Sequence, residues 1–413
     1  MLRAHLSLSP RVHQNPMSAR RTRNPLYVLL AVIAIDLIGF GVAIPVLPYL
    51  AKEQHPEGWV LGLLLACYAA MQFVFAPVWG RLSDRIGRRQ VILITIAGTS
   101  ACLLLLGLSD SLFWLFVARV FGGVFGANIS VATAYIGDVT EPEERTRWMG
   151  MVGVCFAVGF TLGPVIGGML SVFGYGVPML FASGLAAANF AFAYPILREP
   201  TRQFIEHEAQ TRLEILKNNV LLRRLSGINF VFTFAVCQLE SLFIYFMFHR
   251  FGYEPWDVWP IMFLMAFVMM LIQGGAIRSL AKRYGEQRLL LVGVILMAIS
   301  FLAVPYPTTI EVLLVPLVMS AVGRAICQPS MLSLVSLEAT AATRGAVMGS
   351  FQSAASAART LGPVAAGILF DWHVGGPFFL AGILMLITIP LCLRLPSQRQ
   401  AGREPGSVKD AAS

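Results

Sequence analysis

Apolar residues in this chain come in long blocks rather than in the short alternations of a soluble fold. Twelve such blocks, each roughly 20 residues, occupy approximately 25–50, 59–80, 89–108, 112–137, 147–171, 177–198, 225–248, 256–278, 288–306, 310–336, 345–370 and 376–395. A helix of that length crosses the ~30 Å hydrocarbon core of a bilayer. The pattern therefore predicts an all-α membrane protein with twelve transmembrane spans. It divides into an N-terminal tail (1–24), a six-helix bundle (25–198), a polar middle loop (199–224), a second six-helix bundle (225–395) and a C-terminal tail (396–413). The stretch from Arg212 to Arg224 in the middle loop has the pattern of a short amphipathic helix lying on the membrane surface.

The two bundles read as copies. Residues 145–168 recur at 344–367, displaced by 199 positions: Arg145 matches Arg344, Met149-Gly150 matches Met348-Gly349, Thr161 to Val165 matches Thr360 to Val364, and Gly168 matches Gly367. An offset near half the chain, inside apolar segments, predicts two similar membrane domains made by duplication.

Composition agrees, with 57% hydrophobic residues and a mean hydropathy of +0.71. A net charge of +9 would by itself suggest a nucleic-acid partner, but the placement of the charges excludes it. Of 31 Lys and Arg, twenty-six fall in the tails and in the loops on one side of the predicted spans. Lys52 and Arg250 lie on the other side, and Arg119, Arg324 and Arg359 lie within spans. This is the positive-inside bias, and it predicts that both termini and the middle loop are cytoplasmic and touch anionic lipid. The six cysteines all fall within spans with no metal-like spacing, so neither disulfides nor a metal site are expected, and no cofactor. The first sixteen residues lack the apolar core of a signal peptide, and Met17 is an alternative start.

Two motifs carry a resemblance. In the fifth span, Gly150, Gly159, Gly163-Pro164 and Gly167-Gly168 place three glycines four apart on one helical face, which permits close backbone approach, and a proline that bends the helix. Between spans 2 and 3 stands Gly80-Arg81-Leu82-Ser83-Asp84-Arg85-Ile86-Gly87-Arg88-Arg89. Its two glycines allow a tight reversal, and its arginines hold the turn at the cytoplasmic side. The first pattern resembles the fifth-helix signature of drug–proton antiporters of the major facilitator superfamily, and the second matches that superfamily's loop signature without a gap. The run from Asp36 to Pro48 is similar to the first helix of tetracycline-type exporters.

The resemblance implies that Asp84 latches against the start of span 11 when the cytoplasmic gate closes. It implies that Arg85, Arg88 and Arg89 tie the loop to its neighbours, and that Asp138 and Arg145 form gate ion pairs. In the second half the matching loop keeps only Arg283 and Gly285, with Lys282 where Asp84 would be. In the second copy of the fifth-span pattern, Gly159 and Gly167 become Ala358 and Ala366.

Intramembrane charges are the candidate chemistry. Asp36 lies ~16 Å inside span 1, where a carboxylate costs several kcal/mol unless paired, protonated or wet. Two roles are open to it, a structural ion pair and a proton carrier. Arg119, about two turns inside span 4, either snorkels to the interface or, by family resemblance, sits near the proton-carrying carboxylate and tunes it. Glu240 in span 7, beside Gln238, is a second candidate carboxylate, for substrate or for a proton, with a choice of partners in Arg324 (span 10, followed by Gln328) and Arg359 (span 11). These five and Asp36 are the candidate substrate-binding residues. Simple pairing with one arginine would leave the other without a carboxylate. Phe73, Phe75, Tyr245 and Phe246 are candidates to line a cavity.

The scattered histidines and the absence of a phosphate-binding loop speak against an enzyme or an ATP-driven pump. The reading is a monomeric proton-coupled exporter of a small organic molecule in a bacterial inner membrane, with a proton symporter on the same fold as the alternative. Spans 3 and 9 lack the carboxylates of the tetracycline group, so two acids face three arginines within the spans. That balance favours neutral or anionic substrates, such as a secreted siderophore-like metabolite or an amphipathic antibiotic.

Overall fold

The computed structural model describes residues 16–52, 57–140, 142–200, 219–337 and 344–395. The helices are α1 (Pro16–Lys52), α2 (Gly58–Ile86), α3 (Arg88–Leu108), α4 (Leu112–Phe125), α5 (Ile129–Val139), α6 (Pro142–Leu170) and α7 (Val177–Ile196). The second half continues with α8 (Val220–Phe251), α9 (Pro255–Leu271), α10 (Ile277–Tyr284), α11 (Glu286–Ala303), α12 (Ile310–Leu337), α13 (Arg344–Trp372) and α14 (Gly376–Leu393). Each of the twelve predicted spans is found. Span 4 is broken into α4 and α5 by a 3₁₀ turn at Gly126–Asn128, and span 8 into α9 and α10 by a π-helical turn at Ile272–Ala276.

Among the described residues ten helical stretches are long and apolar enough to cross a membrane, and the chain is an integral multi-pass membrane protein. The remaining two spans, α6 and α13, are the two repeated stretches. Serines, glutamine and Arg359 dilute the apolar character of α13, and this fits its place between the bundles rather than against lipid.

The fold keeps the repeat. α1 to α7 make one bundle and α8 to α14 the other, and they meet along two crossed pairs, α2 with α13 and α6 with α9. The N-terminal bundle has two cores, one around Leu29, Ile33, Ile92 and Tyr135 and one around Val46, Leu61, Leu64 and Met179. The C-terminal bundle has one, around Leu242, Met297, Phe301 and Phe378. In both halves the repeated helix presses on the first helix of its own bundle. A Cβ on Gly163 would stand 2.6 Å from Gly41 Cα of α1, and one on Gly362 would stand 2.7 Å from Cys237 Cβ of α8. The last glycine of each copy faces the other half, Gly168 against Trp259 and Gly367 against Gly58 and Trp59.

Two expectations change. Gly80 is not part of a reversal: α2 runs on to Ile86, and the turn is Gly87 alone, at φ +112°, a conformation open to a residue without Cβ. Of the expected surface helix, Val220 to Arg224 form the first turns of α8, and the residues before 219 lie outside those described.

Candidate functional site

The break in span 4 builds the centre of the N-terminal half. Gly122, Gly123 and Gly126 weaken the helix, and Ala127 leaves helical geometry (φ −78°, ψ 20°). Backbone groups loosened there need partners in a medium without water. α2 supplies them: Gln72 Nε2 donates to Gly126 O at 2.8 Å and Trp79 Nε1 to Val124 O at 2.6 Å. The turn carries Asn128 across to α1, where its Nδ2 donates to Asp36 Oδ2. Asp36 Oδ1 and Asn128 Oδ1 are buried and have no bonding partner among the described residues.

Arg119 does not pair with Asp36. It is 4% exposed, lies over the Tyr68 ring at 4.5 Å from the centroid, and donates through Nε to Leu64 O at 3.3 Å. Its charge is met by an aromatic face and a carbonyl, and it does not snorkel to an interface. Tyr68 stands within electrostatic reach of both Arg119 and Asp36. Neither Tyr68 nor Asn128 stands out in the sequence.

The glycine-rich face of α6 lies directly below Asp36. Gly159 approaches Leu37, Gly163 approaches Ile38 and Gly41, Gly167 approaches Val42, and the Pro164 ring packs on Gly41. For Arg145 and Gly150 only the helical backbone is described, so the expected Arg145 contact lies outside the described side chains.

In the second half Glu240 Oε1 accepts from Arg324 Nη2 at 2.5 Å, joining α8 to α12. Arg359 on α13 lies near the same cluster, within electrostatic reach of Cys237, and has no carboxylate partner among the described residues. Gln238 is fully buried and donates to Gly362 O at 3.1 Å, so it ties α8 to α13 rather than lining an open surface. Gln328 is exposed. Phe246 is core, edge-on to Phe378 at 4.9 Å, and so does not line a cavity. Tyr245 packs against His249 and Phe370, and Phe73 is exposed.

The end of the molecule that carries the 80–89 motif is knitted within its own half. Arg88 bridges Asp84 at 2.7 Å and Asp138 at 3.0 Å. Glu199 accepts from the backbone N–H groups of Arg88 (2.6 Å) and Arg89 (3.0 Å), capping α3. Arg89 donates to Leu197 O and Tyr194 O at 2.7 and 2.8 Å. Arg85 is exposed and Asp84 pairs with Arg88, while the side chains at the start of α13, against which Asp84 is expected to latch, lie outside those described. The halves meet at the opposite end. There Tyr49 donates to Tyr253 O at 2.7 Å and Tyr175 to Glu254 Oε2 at 3.1 Å. The Asp371 carboxylate accepts from Gly58 N (2.7 Å) and Trp59 N (2.9 Å). On the same seam, α2, α8 and α13 line an open apolar cleft of about 540 Å³, with Leu63, Cys67, Met71, Phe234, Leu361 and Ile368 on its walls.

Among the described residues no group of three or more His, Cys, Asp or Glu is placed to hold a metal. The arrangement is one of charges held inside the two bundles, Asp36 and Arg119 in the first and Glu240, Arg324 and Arg359 in the second.

Comparisons with known proteins fit this geometry. A family model described as Major Facilitator Superfamily matches residues 29–304 and 276–412. The chain is 32% identical to the tetracycline resistance protein, class D, of Salmonella ordonez, over 90% of this chain and 98% of that one. It is 30% identical to multidrug resistance protein 2 of Bacillus subtilis (strain 168), over 89% and 94% of the two. Among solved structures, a bacterial homolog of the human lysosomal transporter Spinster, crystallised inward-facing and occupied, superposes with a TM-score of 0.76 at 15% identity, covering 92% of this chain and 97% of that one.

Proposed function

Because the chain belongs to the Major Facilitator Superfamily and is a transport protein rather than an enzyme, we propose that it is a proton-coupled exporter of a small amphipathic organic molecule, a drug or a secreted metabolite such as a siderophore. The observation that carries the coupling is Asp36. It is an ionisable group near the middle of the first span, met by a neutral amide rather than a cation, on the helix against which the glycine face of α6 packs. A group so placed takes up and gives up a proton as its surroundings change between the two faces of the membrane. Export follows the names of the resistance proteins that the chain resembles and the glycine signature of α6.

The halves rock about the α2/α13 and α6/α9 seams, with substrate held between them near the midplane. The positive-inside bias makes the 80–89 end cytoplasmic, so the arrangement closed at Asp371 is inward-open. The protein works as a monomer in a bacterial inner membrane, with both termini cytoplasmic. Glu240 is spent on Arg324, and Arg359 is left as an unneutralised cation beside the pair, which favours neutral or anionic substrates.

The test is substrate-triggered proton movement in proteoliposomes, comparing the intact protein with Asp36→Asn across a panel of anionic, neutral and cationic compounds. An anionic or neutral compound that moves against protons in the intact protein, and not in the variant, is the expected result. Protons and compound moving in the same direction would make the protein a symporter. Normal coupling in Asp36→Asn would transfer the role to Glu240. Rapid transport of ethidium that depends on Glu240 would overturn the substrate preference.

A further inference from the structure

Asp36 and Asn128 leave a matched pair of oxygens. Asn128 Nδ2 donates to Asp36 Oδ2, while Asp36 Oδ1 and Asn128 Oδ1, one on each residue, are buried without a partner among the described residues. A carboxamide carries one acceptor oxygen beside its donors on a rigid plane. A protonated carboxyl carries one donor and one acceptor, spaced the same way. We propose that Asn128 is the hydrogen-bonding counterpart of Asp36 in both of its protonation states, and that it closes a cyclic acid–amide pair when Asp36 takes up its proton. The inference rests on the reading of Asp36 as the proton carrier.

In the charged state the Asn128 amide donates a charge-assisted hydrogen bond to the carboxylate, the stronger kind. The amide oxygen then has no donor to accept from, and a buried polar atom left in that condition is destabilising. One proton from the aqueous side forms an O–H bond at Asp36 Oδ1 and cancels its negative charge. That O–H donates to Asn128 Oδ1, while Asn128 Nδ2–H still donates to Asp36 Oδ2. Release is the reverse, with the proton leaving as the O–H bond breaks. The single proton satisfies both orphaned oxygens at once, and neither side chain has to swing away to load or unload.

The other ionisable groups around Asp36 do not replace Asn128. Tyr68 of α2 is within electrostatic reach, Arg119 of α4 is stacked on its ring, and Cys102 of α3 lies beside the same tyrosine. Cys155 of α6 donates to Leu30 O at 3.3 Å, and α7 brings only Tyr194, which lies under Arg89 at the opposite end of its helix. Position 128 acquires this role from the 3₁₀ turn, which carries Asn128 to α1.

Infrared difference spectra of the full-length protein in lipid vesicles, taken on acidification, test the pairing. A carboxylic C=O band absent from Asp36→Asn belongs to Asp36. In Asn128→Leu that band is expected at higher wavenumber, since the acid has lost both hydrogen bonds, and Asn128→Gln restores much of the difference. With asparagine isotope-labelled at its side-chain carbonyl, the otherwise intact protein is expected to show an amide band moving to lower wavenumber on acidification, and Asp36→Asn is expected to abolish that movement. This arm needs no variant at Asn128 and reads the pairing even where Asn128→Leu does not fold. An Asp36 band unmoved in Asn128→Leu, or a labelled amide band indifferent to pH, overturns the acid–amide pair and leaves Asp36 as carrier. If no carboxylic band is lost in Asp36→Asn, the proton lies elsewhere and both readings are overturned.

Discussion

Removing the carboxylate of Glu240 leaves the Arg324 guanidinium, bonded to it at 2.5 Å, without its counter-charge inside the second bundle. Breaking such a pair from one side costs more than replacing both members, because the surviving charge is stranded away from water. Glu240→Gln and Arg324→Gln are each expected to destabilise the protein by about 2 kcal/mol. The double variant is expected to recover most of that loss, as a cycle of apparent unfolding temperatures in detergent will show; simple additivity would mean the pair contributes nothing. At this scale Asp36, Glu240, Arg119 and the excess of one arginine over the acids were legible in the sequence, because a charge inside an apolar block is its own signal. Asn128, Tyr68 and Asp371 were not. Uncharged polar and aromatic residues are common in spans, and Asn128 matters only because the helix breaks one residue before it. The expected Arg119–Asp36 pairing is not found for a related reason, since periodicity does not say that the Arg119 guanidinium stacks on the Tyr68 ring.

The glycines of α6 act through backbone proximity, and that can be measured against glycines that do not. A Cβ on Gly163 would meet Gly41 Cα at 2.6 Å and Ile38 O at 2.8 Å, both backbone atoms that cannot turn aside, whereas Gly153 has open space around it. Gly163→Val therefore forces α1 and α6 apart next to Asp36. The expected cost is about 3 kcal/mol of stability, with transport lost, while Gly153→Val stays within ~0.5 kcal/mol. Equal behaviour of the two variants, read as folded yield and substrate flux, would remove the packing account. The twelve elements themselves were readable from hydropathy blocks to within a few residues. Gly80 misled because its type suggests a turn, yet in the structure it sits in mid-helix with nothing near it, and Gly87 alone takes the positive φ. The breaks in spans 4 and 8 were hidden because glycine in a membrane helix serves packing as often as it serves a kink.

Across the whole molecule the 199-residue repeat foretold two bundles, but not how they hold each other, since contacts between halves exist only in one arrangement of them. Two carboxylates show the difference. Glu199 caps the start of α3 from within its own half and has no reason to let go. Asp371 does the same to the start of α2 from the other half, so its two bonds to Gly58 N and Trp59 N must break whenever that end opens. An anion at a helix N-terminus contributes up to about 1 kcal/mol, enough to change a two-state ratio about fivefold. Asp371→Asn keeps the shape and removes the charge, so it is expected to shift the population by that factor toward the state open at this end. Spin labels at Glu57 and His373, in a background with the six native cysteines replaced, report the change as a longer-distance population that grows in Asp371→Asn and not in Glu199→Gln. If the two variants give the same distance distribution, the clasp does not set the balance between states. The seam formed by Gly367 against Gly58 and Gly168 against Trp259 would then carry it.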